Sequence, residues 1–162
     1  ARAYGARVIV SELQPHKLEK VRELGLEAID SANCDPVEQT RAMTDGKGAD
    51  SVIVAVGLTV ANNQALQMVK NKDGKIMFFA AGHPEPEINI STNSIHYRRL
   101  QLLGSMNATQ RDYATAASLI NNRSVNVKAL IEPERFPLSR IQEAFAAADG
   151  NKYRVCVTLQ ED

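Results

Sequence analysis

The chain alternates short apolar runs with stretches in which apolar residues recur every three or four positions. The first run, Arg7–Ser11, is rich in β-branched residues, which favour strands. Pro15 follows at a position typical of a first helical turn, leucine and valine recur at helical spacing, and Gly25 is typical of a helix C-terminus. The pattern therefore predicts a strand followed by a helix in this first segment.

The alternation continues along the chain. Asp35 followed by Pro36 is typical of a helix N-terminus, and it comes after a short predicted strand, "LEAIDS". The runs "ADSVIVAVG" and "KIMFFAAG" are apolar throughout, as in parallel strands covered by helices on both faces, and we predict a helix between them from about Val60 to Val69. "LQLLGSM" predicts another strand, after an irregular segment with Pro84 and Pro86.

Two helical faces and one strand follow towards the end of the chain. The strand is "YRVCVTLQ". In each of the two helical faces, apolar residues recur every three or four positions. Strands that alternate with helices in this way predict an α/β fold with a doubly wound parallel sheet. The two faces are Tyr113, Ala116, Ala117 and Ile120, and then Leu138, Ile141, Ala144, Phe145 and Ala148.

The charge balance and the cysteines exclude several classes of function. The chain has 19 basic and 19 acidic residues, so no charge excess steers it to nucleic acid. No apolar run approaches the roughly 20 residues that span a bilayer, and no signal-peptide pattern is present, so we expect a cytoplasmic protein without a membrane partner. Cys34 and Cys156 stand far apart without histidines at ligand spacing, which indicates packed thiols and no zinc site in this chain.

Glu12 ends the first predicted strand, where an acidic side chain has a chemical meaning. Nucleotides bind outside the carboxyl ends of the strands in doubly wound sheets, and a carboxylate there can accept hydrogen bonds from both ribose hydroxyls. It also repels the 2′-phosphate of NADP and therefore favours NAD. Two alternatives remain at this point: a solvated acid near a helix N-terminus, or the ribose-binding acid of an S-adenosylmethionine enzyme.

The motifs "RVIVSEL", "KLEKVRELGLEAID", "GADSVIVAVG", "GKIMFFAAG", "LQLLGSM", "SVNVKALI", "FPLSRIQEAF" and "YRVCVTL" follow one another in a familiar order. Each is weak alone, but together they resemble the medium-chain dehydrogenase/reductase superfamily over essentially the whole chain. They are most similar to the zinc-dependent polyol group that includes sorbitol dehydrogenases. The resemblance implies a Rossmann-like nucleotide-binding domain at residues 1–125 and a segment, residues 126–162, that returns towards a catalytic domain.

The resemblance also implies that parts of the fold lie outside this sequence. In this family the cofactor domain begins with a strand and a Gly-rich turn, and the helix that follows ends in a turn that resembles "ARAYGA". We therefore expect the chain to lack that strand, the Gly-rich turn and the zinc-binding catalytic domain. Gly46 and Gly48 in "DGKGAD" precede a strand, so they indicate a simple turn.

The missing strand is central in the strand order 3-2-1-4-5-6, so its absence has a structural consequence. The strands at Arg7–Ser11 and Asp50–Val56 would each have a bare edge towards an empty slot. Residues outside this sequence, a neighbouring copy or rearranged pairing would have to fill it.

Cofactor-binding positions follow from the same resemblance. Glu12 matches the acid that holds the adenosine ribose, and Lys17 matches a basic residue along that ribose. Gly57 ends a strand that passes under the nicotinamide side, and Ala80 adds a methyl group where the family usually has glycine. The full set is Glu12, Lys17, Ala55, Val56, Gly57, Ala80, Ala81, Gly82, Ser105, Met106, Asn107 and Arg154.

Several basic residues allow more than one role. Arg154 matches a basic residue near the pyrophosphate, although Lys152 fits with a shift of two positions, and a solvated charge is the plain alternative. Arg98 and Arg99 could bind a phosphorylated sugar, but charges beside an edge strand more often keep that edge soluble. The three histidines lack ligand spacing, so we expect them in loops or in solvent.

The function that the resemblance implies is that of the NAD-binding portion of a zinc-dependent alcohol or polyol dehydrogenase. Zinc held by the catalytic domain would acidify the alcohol, and hydride would pass to NAD held here. This chain alone is expected to bind no zinc and to be inactive. The alternatives are a stand-alone nucleotide-binding or partner-binding module, and a zinc-free NADPH-dependent reductase of the same superfamily, which Glu12 disfavours.

The strand at Leu100–Met106 is too apolar for an edge that faces water. In the family the matching strands of two subunits pair across a two-fold axis. We therefore predict a homodimer or tetramer through this strand. The alternative is that a loop or the helix after Thr109 covers the edge within one chain.

Overall fold

The computed structural model describes residues 1–149 and 152–159, in which strands alternate with helices. Contacts divide the chain into two units, Ala1–Asn107 and Ala108–Asp162. The functional boundary near residue 125 stays a prediction. The strands are β1 (Ile9–Glu12), β2 (Glu27–Asp30), β3 (Ser51–Val54), β4 (Lys75–Phe78), β5 (Gln101–Gly104), β6 (Ile131–Pro137) and β7 (Arg154–Thr158), and the helices are α1 (Pro15–Glu23), α2 (Pro36–Met43), α3 (Thr59–Met68), α4 (Thr92–Arg98), α5 (Gln110–Asn121) and α6 (Ile141–Ala148).

The named strands pair in parallel wherever they meet. In the first unit β1 pairs with β2, and β3, β4 and β5 form a three-stranded sheet in that order. In the second unit β6 pairs with β7. Parallel neighbours need crossover connections, and α1, α3 and α4 supply them in the first unit. The predicted doubly wound α/β class is therefore confirmed.

The main core of the first unit lies against the three-stranded sheet. Val54 of β3 and Ile76 of β4 pack with Leu66 and Val69 at the end of α3, and Leu100 joins them just before β5. Val69 and Ile76 are fully buried. Burial of each aliphatic side chain of this size stabilises the fold by roughly 1.5–3 kcal/mol.

Packing of α2 against α3 connects β1 and β2 to the three-stranded sheet. Arg41 of α2 donates from Nε and Nη2 to the carbonyl oxygen of Gln67, at 3.1 and 2.7 Å. Leu18 of α1 and Ile29 of β2 are buried on the β1–β2 side. The two parts of the unit are thus held together through helices.

β1 and β3 each have an edge without a partner strand among the described residues. β1 pairs with β2 and β3 pairs with β4, so the pairing is not rearranged around the predicted slot. On β3, Ile53 is 56% exposed while Val54 is 5% exposed. The prediction that this run is covered on both faces is therefore wrong for the described chain, because its helices cover the face that carries Val54.

Helix ends lie where the local signals predict them. Gly25 follows α1 with φ of 68°, in the left-handed region that favours glycine. The Asp35 carboxylate caps α2 by accepting from Val37 N at 2.7 Å. α3 begins at Thr59, one residue before the predicted start.

The structure adds two elements that the apolar pattern does not predict. One is α4, which Ser91 caps by accepting from Ser94 N at 3.1 Å. The other is β6, a strand with two prolines in a stretch without clear alternation. In addition, α6 begins at Ile141, because Leu138 lies in a short 3₁₀ turn before it. The last predicted strand is seen as β7, and Gln160 lies outside the described residues.

Candidate functional site

Glu12 closes β1 and holds the turn into α1. Its Oε1 accepts hydrogen bonds from the backbone N–H of Leu13 at 2.7 Å and of Gln14 at 3.0 Å. Lys17 lies in the first turn of α1, and both Glu12 and Lys17 are half-buried. The structure therefore places this predicted pair on either side of one turn, at the carboxyl end of β1.

The segments that follow β3 and β4 meet backbone to backbone at two glycines. A Cβ on Gly57 would lie 2.3 Å from the carbonyl oxygen of Ala81, and a Cβ on Gly82 would lie 2.2 Å from that of Gly57. The sequence predicts that glycine at position 57 allows close approach of a cofactor. The structure shows that it allows close approach of Ala81 and Gly82, and the cofactor contact stays a prediction.

The predicted residues after β4 and β5 lie at the same edge of the sheet. Ala80 N donates to Val54 O at 3.2 Å, and Ser105 N donates to Phe78 O at 3.3 Å. Met106 is 86% exposed. The carboxyl ends of parallel strands share one edge of the sheet, so three predicted segments lie side by side. They are residues 55–57, 80–82 and 105–107.

Arg154, the remaining predicted residue, begins β7 in the second unit and is exposed. Lys152, the alternative, lies 3.5 Å from a carboxylate oxygen of Glu134. A pyrophosphate role for either residue stays a prediction.

Large apolar side chains beside the carboxyl edge are exposed, and motif matching misses most of them. Leu13 is 56% exposed next to Glu12, and Val56, Leu58 and Phe79 are exposed by half or more after β3 and β4. Exposed apolar surface beside polar groups is typical of a ligand-binding surface. The sequence does contain a signal for this exposed surface. The apolar runs around β3 and β4 continue past the ends of these four-residue strands.

The arginines before β5 have structural partners. Arg98 donates from Nε to Asn71 O at 3.2 Å and from Nη2 to Leu66 O at 3.1 Å, and Arg99 pairs with Asp73. These bonds attach α4 to the end of α3 and to the turn before β4. They favour the structural role over phosphate recognition.

Two carboxylates elsewhere on the first unit have lowered pKa values because of ion pairs. Hydrogen bonds from Arg7, at 2.6 and 2.7 Å, hold the pKa of Glu27 below its usual range. Lys70 does the same for the pKa of Asp50 across 2.6 Å. Glu27 begins β2 and Asp50 precedes β3. Both ion pairs therefore involve the amino ends of strands, opposite to the carboxyl edge.

Among residues 1–149 and 152–159, no three His, Cys, Asp or Glu side chains gather around a point that could hold a metal ion. Cys34 and Cys156 are half-buried free thiols. In the same part of the chain, no helix has the length and apolar character needed to cross a membrane.

A cavity of about 240 Å³ opens between α3 and α4. Polar side chains, among them Asn63, Asn89 and Arg98, line much of it. The predicted cofactor residues do not line this cavity. The candidate site is therefore the open carboxyl edge of the sheet.

Comparison with known families identifies this arrangement. The family model described as zinc-binding dehydrogenase matches residues 1–122. The chain belongs to the zinc-binding dehydrogenase family. The sorbitol dehydrogenase of Halalkalibacterium halodurans is 30% identical over 164 residues, which cover 98% of this chain and 46% of that relative. The D-arabitol-phosphate dehydrogenase of Enterococcus avium is 28% identical over 162 residues, which cover 97% of this chain and 45% of that relative.

A solved structure shares this fold. The 2R,3R-butanediol dehydrogenase of Bacillus subtilis matches with a TM-score of 0.80 and 24% identity, over 98% of this chain and 46% of that protein. At this identity the likeness shows the shared fold. The zinc-binding dehydrogenase chain spans about half the length of the curated relatives it matches. The resemblance to polyol dehydrogenases that the sequence indicates is confirmed.

This family implies two groups, a nicotinamide dinucleotide and zinc, and the described residues fit them differently. The carboxyl edge has a carboxylate at the tip of β1, exposed apolar side chains beside it and three adjacent backbone segments, a set that suits a dinucleotide. The described residues bring together no ligand set for zinc.

Proposed function

We propose that this chain is most of the NAD-binding half of a zinc-dependent polyol dehydrogenase of the cytoplasm. The observation that carries the proposal is the carboxylate of Glu12 at the tip of β1, in a parallel sheet of the zinc-binding dehydrogenase family. A carboxylate at this point accepts hydrogen bonds from ribose hydroxyls and repels a 2′-phosphate, so it selects NAD over NADP.

Each segment of the carboxyl edge has a proposed role. Glu12 and Lys17 hold the adenosine ribose, and the apolar side chain of Leu13 covers the adenine. The segments 55–57, 80–82 and 105–107 orient the nicotinamide end through backbone groups. For Arg154, which lies in the second unit, a role in neutralising the pyrophosphate is proposed from the family resemblance alone. When bound, NAD accepts a hydride from the alcohol carbon, and this chain contributes its position and the choice of cofactor.

The proposed substrate is a sugar alcohol or a related secondary alcohol. Support comes from the sorbitol and D-arabitol-phosphate dehydrogenases among the relatives. The zinc of the family is assigned to parts of the complete protein other than this chain.

We also propose that two copies of the complete protein pair through β5. Its outer edge has no partner strand among the described residues, and Leu103 and Met106 are 39% and 86% exposed. An apolar strand edge of this kind needs a cover, and an isologous pairing of two such edges provides one.

Initial-rate measurements on the full-length protein test the proposed function. A panel of sugar alcohols, their phosphate esters and simple secondary alcohols is oxidised with NAD or NADP. The proposal predicts reduction of NAD by at least one polyol, with a kcat/KM at least about 10-fold higher for NAD than for NADP, as one lost charge-assisted contact implies. Preference for NADP, or oxidation of none of these alcohols by a zinc-loaded protein, would contradict it.

A further inference from the structure

The connection from β4 to α4, residues 79–91, has no helix or strand. It is nevertheless attached at two separate places, one in the connection from β3 to α3 and one on α3 itself. Both attachments involve the β3–α3 region. One is made by backbone at Gly57, and the other is made by side chains in the first turns of α3. Residues 80–82, which we assign to the cofactor, lie at one end of this connection.

The first attachment is the contact between Gly57 and Gly82. It leaves no room for a Cβ on either residue, since a Cβ on Gly57 would meet Ala81 O at 2.3 Å and a Cβ on Gly82 would meet Gly57 O at 2.2 Å. In addition, Phe79 N and Ala80 N both donate to Val54 O, at 3.0 and 3.2 Å. The end of β3 therefore determines where residues 79–82 lie.

The second attachment is made by three polar side chains of α3. Thr59 Oγ1 accepts from Glu87 N at 3.0 Å, and Asn62 Nδ2 donates to Glu87 O at 3.2 Å. Asn63 Oδ1 accepts from Asn89 N at 2.8 Å. The three side chains thus bind three backbone groups of an irregular segment, two on Glu87 and one on Asn89, as a neighbouring strand would do.

Asn62 stands out because it is only 6% exposed. Asn62, Leu66 and Val69 recur at helical spacing, so an amide occupies a position where this helix otherwise places core residues. A buried amide is costly unless its hydrogen bonds are satisfied, and the carbonyl of Glu87 satisfies its donor.

We propose that Thr59, Asn62 and Asn63 are positioning residues for the NAD site, an inference that rests on the proposed function. They fix the far end of the β4–α4 connection, and the Gly57–Gly82 contact fixes the near end. Residues 80–82 are thereby ordered before the cofactor arrives. A binding segment that is already ordered loses less conformational entropy on binding, so release of the far end weakens NAD affinity without any lost contact to NAD.

Substitutions at Thr59 in the full-length protein test this inference, because its side chain is exposed and the fold does not depend on its burial. Thr59→Val keeps the shape and removes the acceptor for Glu87 N, whereas Thr59→Ser keeps the hydroxyl. Thr115→Val is the control, since Thr115 bonds within α5 to Arg111 O. NAD affinity is measured by titration calorimetry, and the exchange of backbone amides in residues 79–90 by mass spectrometry.

We expect Thr59→Val to weaken NAD binding about 2- to 10-fold and to speed amide exchange in residues 79–90, as the loss of one hydrogen bond implies. Thr59→Ser and Thr115→Val should bind NAD within about 2-fold of the parent. At saturating NAD, kcat should be unchanged, because the bound state keeps the same contacts.

Faster exchange in Thr59→Val with unchanged NAD affinity would overturn the inference, and so would equal weakening by Thr59→Val and Thr59→Ser. Asn63→Leu provides a second variant that removes the acceptor for Asn89 N, and faster amide exchange in residues 79–90 with unchanged NAD affinity would overturn the inference there as well. A parent protein that binds no NAD would instead overturn the proposed function itself.

Discussion

The carboxylate of Glu12 accepts two backbone hydrogen bonds in the turn after β1, and a carboxylate has the capacity for about four. One side chain can therefore hold its own turn and still accept bonds from ribose hydroxyls. The two roles need different properties. The turn needs an acceptor oxygen, whereas discrimination against a 2′-phosphate needs the negative charge.

Substitution of Glu12 in the full-length protein separates these roles. Glu12→Ala should weaken NAD binding by about 1–3 kcal/mol, the cost of losing hydrogen bonds to a charged acceptor, and should also loosen the turn. Glu12→Gln keeps an acceptor oxygen, so it should keep the parent's melting temperature while NADP gains relative to NAD. Calorimetric titration with both cofactors measures the change. An unchanged NAD to NADP ratio in both variants would remove Glu12 from its assigned role.

Gly82 and Gly104 provide a matched test of the contact between the β3 and β4 connections. A Cβ at Gly82 meets backbone at 2.2 Å, whereas a Cβ at Gly104 meets nothing within 4 Å. Gly82→Ala should therefore destabilise the protein by about 1–3 kcal/mol in urea unfolding, as overpacking does, while Gly104→Ala should stay within about 0.5 kcal/mol of the parent. Equal stability of the two variants would show that the two connections do not touch.

At the scale of elements, the direction of the β5 hydrogen bonds makes the predicted interface testable. Gln101 N donates to Gly74 O and Ser105 N donates to Phe78 O, so the odd-numbered N–H groups of β5 face β4. Backbone groups alternate along a strand in a parallel ladder, and the N–H of Leu102 therefore points to the open edge.

Leu102→Pro removes this outward donor and leaves the bonds to β4 in place, which edge strands tolerate. Leu102→Ala loses the same packing but keeps the N–H. In sedimentation experiments on the full-length protein, the proline variant should shift towards monomers and the alanine variant should not. A folded proline variant with the parent's mass in solution would show that the edge is not the interface.

The capping box of α5 predicts a pH dependence with a definite sign. Asp112 Oδ2 accepts from the Thr109 hydroxyl at 2.7 Å and from Thr109 N at 2.8 Å, and these bonds lower the pKa of Asp112. The cap is thus fully present above the ordinary carboxyl pKa of about 3.9 and is lost as pH falls through the lower folded value. The amide NMR signals of Thr109 and Asp112 should shift in that range and should be constant in Asp112→Asn. Amide signals that shift at a pH equal to or above the ordinary carboxyl pKa would contradict the assigned hydrogen bonds.

The regular elements show which patterns in a sequence are informative. The predicted strands and most helices are found because continuous apolar runs and capping residues are local signals. The apolar pattern does not predict α4 and β6, since α4 is a short helix after a proline-rich segment and β6 contains two prolines. The exposure of Ile53 could not be predicted either, because the apolar pattern of a strand does not say what covers its second face.

The candidate site can be predicted only in part from the sequence. The position of Glu12 at a strand tip follows from the order of strands and from local pattern. The contact of Gly57 with Gly82 and the bonds from Asn62 and Asn63 to residues 87–89 could not be predicted, because they join segments more than 20 positions apart. A polar residue at a core position of α3 was the available signal.

At the scale of the whole molecule, the chain spans about half of its curated relatives and has unpaired edges on β1 and β3 among its described strands. We therefore predict that the 162-residue chain alone oxidises no alcohol with any nicotinamide cofactor and holds no stoichiometric zinc. Metal analysis by mass spectrometry, with the full-length protein as the control, is the measurement. One tightly bound zinc per isolated chain would mean that its histidines and cysteines form a site.

The crystal structure of the full-length protein with NAD bound tests the central claim most directly. The account predicts that both hydroxyls of the adenosine ribose lie within about 2.5–3.2 Å of the Glu12 carboxylate. It also predicts that the nicotinamide lies beside residues 80–82 and 105–107. NAD bound at another edge of the sheet, with the Glu12 carboxylate directed to solvent, would contradict it.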